Sequence, residues 1–120
     1  MNTKILGNAG EEAAADYLEQ KGYTVCERNY RTVTGEIDLI VKKGATTVFV
    51  EVKTRRSLAC GEAALAVNYR KQQKIIRTAY CYMQQKKLDG RPCRFDVVEV
   101  YRKPAGGWTI NHFEGAFEVS

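Results

Sequence analysis

Hydrophobic residues recur along the chain with two different periods, and the change of period predicts the order of helices and strands. Between residues 8 and 21, apolar residues repeat every three to four positions, as on one face of an amphipathic helix. Asn8 and Glu11 have the spacing of an N-terminal capping box, and Gly22 is a typical residue to end such a helix. Residues 23–31 are rich in β-branched and aromatic side chains, and they predict a strand.

The rest of the chain continues this order of helices and strands. The pattern predicts a hairpin at residues 36–54 and a long helix at 62–87 with a break near Asn68. It predicts two further strands, at 94–101 and 108–113. The order α-β-β-β-α-β-β predicts an α/β fold in which helices flank a mixed β-sheet. A length of 120 residues fits a single domain, residues 1–120.

The hairpin carries the most specific pattern in the chain. If its two-residue turn is Gly44-Ala45, opposed residues have numbers that sum to 89, and one face pairs only aliphatic residues: Ile37 with Val52, Leu39 with Val50, and Val41 with Val48. We expect that face to be core, because a slip of one residue would bury charges instead. The other face pairs Glu36 with Lys53, Asp38 with Glu51, and Ile40 with Phe49.

This register places two carboxylates, Asp38 and Glu51, opposite each other. Like charges across a strand pair are destabilising, and a divalent cation between them would turn repulsion into ligation. Oxygen ligands of this kind suit Mg²⁺ or Mn²⁺. With Lys53 on the same face, the set fits metal-assisted hydrolysis of a phosphodiester, in which the lysine acts as a base or as a fixed positive charge. The alternative is a solvated ion pair of Lys53 with Glu36 and Glu51, which would contribute about 0–1 kcal/mol.

The charge of the chain is unevenly distributed. Nineteen Lys and Arg face fourteen Asp and Glu, and the sequence pI is about 9.1. Residues 53–77 hold seven of the cations against a single acid, Glu62. A basic excess beside a metal site favours contact with nucleic-acid phosphates over a merely solvated helix face. We expect these contacts from Arg31, Arg55, Arg56, Arg70, Lys71, Lys74 and Arg77.

The composition also excludes several classes of protein. His112 is the single histidine, and the four cysteines show no C-x-x-C spacing, so sites that need two histidines or a zinc knuckle are not expected. No apolar run approaches the roughly 20 residues of a membrane span, and the first residues lack a signal-peptide core. We therefore expect a cytoplasmic protein with reduced thiols and no membrane partner.

Several ordered motifs resemble the PD-(D/E)xK nuclease superfamily, and the whole chain is similar to its YraN-like bacterial group, near the Holliday-junction-resolvase branch. The resemblance runs through G-x-x-G-E-x-x-A-x-x-Y-L at residues 7–18, N-Y-R at 29–31, G-E-I-D-L-I at 35–40, F-V-E-V-K-T-R at 49–55, K-Q at 71–72, R-F-D-V-V at 94–98 and A-F at 116–117. The Pro-Asp pair of the superfamily is Ile37-Asp38 here.

The resemblance implies a restriction-endonuclease-like α-β-β-β-α-β core and a metal-dependent endonuclease that acts on DNA, with branched or structured DNA as its candidate substrate. Asp38 and Glu51 would be metal ligands together with the main-chain carbonyl of Val52, and Lys53 the catalytic lysine. Symmetric cutting of two strands would require a homodimer. The alternative is a nucleic-acid-binding module with the nuclease fold and little or no catalytic activity.

Four further polar residues have more than one interpretation. Glu11 matches an additional acidic ligand of the superfamily, or it belongs to the capping box. Gln72 matches a catalytic glutamine of related nucleases, or it is a hydrogen-bonded structural amide. We expect Asp96 to be a structural partner of Arg94 or of a helix end, and His112 to lie on a strand surface.

Overall fold

The computed structural model describes residues 3–55 and 67–119. Its elements follow the predicted order: α1 Thr3–Gln20, β1 Thr24–Thr32, β2 Gly35–Lys43, β3 Thr46–Arg55, α2 Tyr69–Gln85, β4 Cys93–Arg102 and β5 Trp108–Phe117. The strands form one sheet in the order β1-β2-β3-β4-β5, in which β3 and β4 run parallel and the other neighbours antiparallel. The predicted α/β fold with a mixed sheet is confirmed.

The two helices cover opposite faces of this sheet. On one face, Ala14 and Leu18 of α1 pack with aliphatic residues of the central strands, among them Leu39, Val50 and Val98. On the other face, α2 packs on a more aromatic cluster built from Ile40, Ile75, Phe49, Tyr82 and Phe95. Within residues 3–55 and 67–119, no helix is long and apolar enough to cross a membrane.

The first helix begins earlier than the sequence pattern predicts. It starts at Thr3, so Asn8 lies inside it and the predicted capping box with Glu11 is wrong. Leu6 is buried, and its packing extends the helix beyond the local cap signal. Gly22 ends the helix as predicted, because its φ of +93° is a conformation that glycine adopts without strain.

The second helix begins at the predicted break. Asn68 is its N-cap, and its side chain accepts a hydrogen bond of 2.8 Å from the backbone N–H of Lys71. Residues 62–66 of the predicted helix lie outside the described residues. The helix ends at Gln85, before the predicted Asp89-Gly90, because Lys87 takes a left-handed conformation with φ +57°.

The hairpin has the predicted register over its central pairs. Leu39 lies opposite Val50, Ile40 opposite Phe49 and Val41 opposite Val48. In the described residues the β2–β3 ladder starts at the first of these pairs, so Asp38 and Glu51 are not ladder partners. Ile37 packs in the α2-side cluster, and the prediction that it shares a face with Leu39 and Val41 is wrong.

The change of side at Ile37 has a local cause in the neighbouring strand. In β1, Arg28 pairs with Leu39 and Tyr30 with Ile37, and Asn29 lies between them with φ +52°. Asparagine tolerates this left-handed conformation better than other non-glycine residues, and it locally disturbs the strand. The regular alternation of β2 therefore breaks at Asp38, between two residues that face opposite sides of the sheet.

Candidate functional site

The candidate site lies where β2 and β3 stop pairing. The backbone N–H of Val52 donates a hydrogen bond of 2.8 Å to Oδ2 of Asp38. This bond crosses the gap between the strands beyond the last pair of the ladder, Leu39 and Val50. It fixes the Asp38 carboxylate beside the segment of β3 that carries Glu51 and Lys53.

The Glu51 carboxylate is buried and lies against two ammonium groups. Its side chain is 6% exposed, and its Oε1 lies 2.8 Å from Nζ of Lys71 and 3.6 Å from Nζ of Lys53. Lys53 follows on the same strand, whereas Lys71 comes from the first turn of α2. The sequence predicted Lys71 as a phosphate contact, and the structure places its ammonium on the carboxylate itself.

Asp38 has an unusually high proton affinity for an aspartate. Burial and the negative charge of Glu51 raise the pKa of Asp38 from its usual value to about 7, against the lowering effect of the Val52 hydrogen bond. Burial alone would lower the pKa of Lys71, but its bond to Glu51 and the charge of Asp38 raise it, so this side chain stays protonated. The raised pKa shows that Asp38 is the less well neutralised of the two carboxylates, so a further cation beside it would favour its ionised form.

Helix α1 reaches the site through a close contact with β3. A Cβ atom at Gly10 would lie 2.2 Å from Oγ1 of Thr54, so only glycine allows the helix to approach the strand this closely. The approach brings Leu6, Gly7 and Glu11 to a cavity of about 320 Å³ that Asp38, Glu51, Val52 and Lys53 also line. Glu11 is thus placed beside the site.

The side chain of Asn29 connects two further carboxylates near the site, those of Glu11 and Glu36. With its amide nitrogen turned toward them, it donates to Oε1 of Glu11 (3.1 Å) and to Oε1 of Glu36 (3.2 Å). Burial raises the pKa of Glu11, the Asn29 bond lowers it, and the charges of Glu36 and Glu51 raise it further, with a net rise. The sequence pattern does not predict this role of Asn29, although Asn29 belongs to the N-Y-R motif.

Two carboxylates and one main-chain carbonyl fit Mg²⁺ or Mn²⁺. These ions keep several waters and commonly use only one or two protein carboxylates. Among residues 3–55 and 67–119, no three His, Cys, Asp or Glu side chains are arranged to hold one metal ion. Glu11 is therefore not gathered with Asp38 and Glu51 as a third ligand, and the fit rests on this pair with the carbonyl of Val52.

A second cavity opens from the same carboxylates on the side of α2. It has a volume of about 480 Å³, and Asp38, Glu51 and Lys71 line it as they line the first. Its outer wall carries Arg70 and Lys74, both exposed. The larger cavity therefore has positive side chains, Arg70 and Lys74, and the carboxylate pair among its lining residues.

The remaining predicted site residues lie farther out or in other contacts. Nε2 of Gln72 donates to the carbonyl of Val67 (2.7 Å), which matches the structural alternative rather than a place in either cavity. Nε of Arg31 donates to Oε2 of Glu36 (3.0 Å), so Glu36 pairs with this arginine and not with Lys53. Arg31 is 74% exposed, and its partner Glu36 lines the larger cavity.

Three predicted phosphate contacts differ in their surroundings. Nε of Arg55 is buried and has no hydrogen-bond partner in the part of the chain that the structure describes. Arg77 is exposed on α2, and its Nε donates to the carbonyl of Gln73 (3.3 Å). Arg56 lies outside the described residues.

Asp96 organises a separate network on the α1 side of the sheet. Its carboxylate is fully buried and accepts two bonds of 2.8 Å from Arg94, one of 2.6 Å shared with His112 Nε2, and one of 3.0 Å from the N–H of Gly115. The predicted structural pairing with Arg94 is confirmed. The side chain of His112 is only 7% exposed, so the prediction of a strand-surface residue is wrong.

Comparison with known proteins places the chain in a family. The model of the "Uncharacterised protein family UPF0102" matches residues 10–100. A UPF0102 protein of Caldicellulosiruptor saccharolyticus is 48% identical over 101 residues, which cover 84% of this chain and 86% of that protein. A UPF0102 protein of Syntrophus aciditrophicus is 48% identical over 114 residues, covering 95% and 89%.

Among solved structures, the chain is similar to Pyrococcus furiosus SfsA in complex with Ca²⁺. The identity is 14% and the TM-score 0.40, with 98% of this chain and 66% of that chain covered. A likeness at this level has no bearing on function, and the assignment rests on the family model and the sequence relatives. The chain belongs to UPF0102, the YraN-like family.

Proposed function

We propose that the protein is a metal-dependent endonuclease that hydrolyses phosphodiester bonds in DNA. The observation that carries the proposal is the pair of carboxylates, Asp38 and Glu51, fixed beside each other where the β2–β3 ladder ends. A purely structural hairpin gains nothing from two acids at this position. Two lysines and a cavity with basic side chains adjoin the pair, and their positive charges suit the negative charge of a phosphate ester.

Asp38, Glu51 and the carbonyl of Val52 would hold Mg²⁺ or Mn²⁺, which supplies a Lewis acid for a phosphate oxygen and lowers the pKa of an attacking water. The N–H of Val52 holds Asp38 in place for this task. Lys53 points to the same carboxylate and is 23% exposed, so it reaches both the site and solvent. Its ammonium is placed to orient the water or to stabilise the charge that develops on the phosphate.

Lys71 neutralises Glu51 in the metal-free protein. Its side chain is 46% exposed and sits on the first turn of α2, so it can leave the carboxylate without any rearrangement of the core. With a divalent cation bound, Glu51 would no longer need Lys71 to neutralise it, and the ammonium of Lys71 could contact a substrate phosphate. Lys71 thus links the two cavities that meet at the site.

Arg70 and Lys74 extend this positive surface along the larger cavity, and the exposed Arg31 is paired with Glu36, which also lines it. Contacts to phosphates position a nucleic acid without reading its bases. This arrangement supports selectivity for the structure of DNA, such as a branch, rather than for its sequence. One chain has one site, so symmetric cutting of two strands needs a pair of chains.

A second candidate function is a nucleic-acid-binding module that does not cut. Lys71 already lies 2.8 Å from Glu51, and no third carboxylate joins the pair among the residues that the structure describes. An ammonium held this closely can replace a metal ion permanently. The basic surface would then bind DNA without chemistry at the site.

Cleavage assays separate these two functions. Purified protein is incubated with branched, flap, single-stranded and duplex DNA, with and without Mn²⁺, beside Asp38→Ala, Lys53→Ala and the control Asp89→Ala, which changes an exposed acid after α2. We expect metal-dependent cutting by the wild type and the control, and a loss of at least about 100-fold in both site variants. Cleavage that survives both substitutions overturns the site. Binding without cutting under every metal condition assigns the protein to the second function.

A further inference from the structure

The face of α2 that points away from the core carries two exposed tyrosines. Tyr69 is 67% exposed and Tyr80 is 61% exposed. They lie eleven residues apart, which is about three helical turns, so both rings project from nearly the same side of the helix. The two rings lie about 16 Å apart along the helix axis, with basic residues of the same helix between them.

Positive charges accompany these rings along the whole helix. The sequence of α2 contains Arg70, Lys71, Lys74 and Arg77 and no acidic residue. Around the helix, the tyrosines are followed first by the two arginines, then by Lys74, and then by Lys71 at the carboxylate site. The two rings therefore lie on one side of the helix and the candidate active site on the other, and the basic side chains lie between them.

We infer that this face of α2 binds single-stranded DNA, with bases stacked on Tyr69 and Tyr80 and phosphates held by Arg70 and Lys74. Rings interleaved with cations bind single strands without sequence preference, because every base has a face that can stack. This inference rests on the proposed function, because the single strand bound on α2 would be the one that enters the cavity beside Arg70 and Lys74.

The features of the surface favour a single strand over other occupants. In a duplex the faces of the bases are already stacked, so the rings would find no partner there. A second copy of this chain would place one acid-free, fourfold positive helix against another, which like-charge repulsion opposes. The polyanionic backbone of DNA has the complementary charge.

Binding assays in EDTA test this inference independently of cleavage. Fluorescence anisotropy measures the affinity for a labelled oligothymidine and for a blunt duplex of equal length, at several salt concentrations. The variants are Tyr69→Ala, Tyr80→Ala and their combination, with Tyr69→Phe and Tyr80→Phe to keep the rings. Val119→Ala, which removes an equally exposed apolar side chain elsewhere, is the control.

We expect each alanine substitution to lower single-strand affinity roughly tenfold. Duplex affinity and the salt dependence should not change, because no charge is removed. The phenylalanine variants and the control should bind like the wild type. Unchanged single-strand affinity in the double variant overturns the inference, and so does an equal loss on duplex.

Self-association provides another test of the same surface. If size-exclusion chromatography with light scattering shows a dimer that the double tyrosine variant loses, the face belongs to a protein contact and the inference is wrong.

Asp38→Asn should abolish cutting and leave single-strand binding intact. If the wild type does not cut but binding still depends on the two tyrosines, the proposed function fails and this inference stands.

Discussion

Nζ of Lys71 lies 2.8 Å from Oε1 of Glu51, closer than Nζ of Lys53, which lies two residues farther along the same strand and is 3.6 Å away. The cation nearest to the buried carboxylate therefore comes from α2, twenty positions along the chain. This contact joins the helix that carries the basic surface to the strand that carries the candidate metal ligands. It also predicts that metal and Lys71 compete for Glu51.

Replacing Lys71 with methionine should lower stability and strengthen metal binding. Without the ammonium, Glu51 stays buried with only the more distant Lys53, at a cost of about 1–2 kcal/mol. The melting temperature in EDTA should fall by several degrees. Mn²⁺ should bind more tightly than to the wild type, because the competing cation is gone, and calorimetric titration measures this.

Lys74→Met is the matched control for this prediction. Lys74 lies on the same helix and lines the same cavity, but its side chain is not paired with Glu51. The control should keep both the melting temperature and the Mn²⁺ affinity. Weaker Mn²⁺ binding in Lys71→Met would show that the ammonium supports the metal site rather than competing with it.

The pKa of Asp38 predicts how the stability of the metal-free protein changes with pH. Burial and the charge of Glu51 raise this pKa to about 7, so between about pH 4 and 7 the folded protein holds a proton that the unfolded chain has released. The contribution of Asp38 to the free energy of unfolding is largest below that pH range. It is lost as the pH rises through the range, by up to about 1.4 kcal/mol per pH unit.

Asp38→Asn should remove this component, since the amide oxygen can still accept the Val52 bond but cannot ionise. In urea titrations with EDTA, the variant should gain stability relative to the wild type from pH 5 to pH 8, as estimated from linkage. Glu12→Gln, which changes an acid whose side chain is 61% exposed, should not show this gain. Parallel stability curves for wild type and Asp38→Asn would contradict the buried, coupled state of Asp38.

The contact between Gly10 and Thr54 predicts a coupled pair of substitutions. A Cβ at position 10 meets Thr54 Oγ1 at 2.2 Å and Cγ2 at 2.8 Å, so Gly10→Ala should push α1 away from β3 and cost about 1–3 kcal/mol. Thr54→Ala removes both atoms and should recover part of that loss in the double variant. A double-mutant cycle from thermal unfolding measures the coupling. Strictly additive effects would contradict the close approach that places Glu11 at the site.

The Asp96 network predicts a different dependence on pH. Burial alone would raise the pKa of Asp96, but the bonds from His112, Arg94 and Gly115 outweigh it and hold the pKa below its usual value. The stability that this charge contributes is present above about pH 4 and is lost as the pH falls further.

Asp96→Asn should therefore cost about 3 kcal/mol at pH 7, because it leaves Arg94 without its buried partner, and the cost should shrink in acid. Glu114→Gln removes the exposed carboxylate on the same arginine, 3.1 Å away, and should cost less than about 1 kcal/mol. An equal penalty at pH 7 and pH 3 would contradict an ionised Asp96.

The local pattern of the hairpin was sufficient to predict the register of its central pairs, because the two-residue turn at Gly44-Ala45 fixes which residues lie opposite each other. Ile37 faces the other side of the sheet, because the left-handed Asn29 in the neighbouring strand disturbs the alternation there, and the sequence of β2 carries no sign of it. The capping signal at Asn8 was outweighed by the packing of Leu6, a tertiary contact.

The composition of the candidate site was predictable only in part. The proximity of Asp38, Glu51 and Lys53 could be predicted, because they lie on two adjacent strands whose register decides which residues are near each other. The place of Lys71 depends on how α2 docks on the sheet, and no short-range pattern specifies that docking. The bond of Gln72 to Val67 likewise becomes visible only with the helix start in place.

The central claim is that Asp38 and Glu51 together bind a divalent metal ion. Electron paramagnetic resonance of Mn²⁺ measures this directly, as the fraction of the ion bound to the wild type, Asp38→Asn, Glu51→Gln and the control Asp89→Asn. We predict saturable binding at pH 8 by the wild type and the control, and an affinity lower by at least about tenfold in both site variants. Mn²⁺ binding by both site variants that equals the wild type would contradict the account.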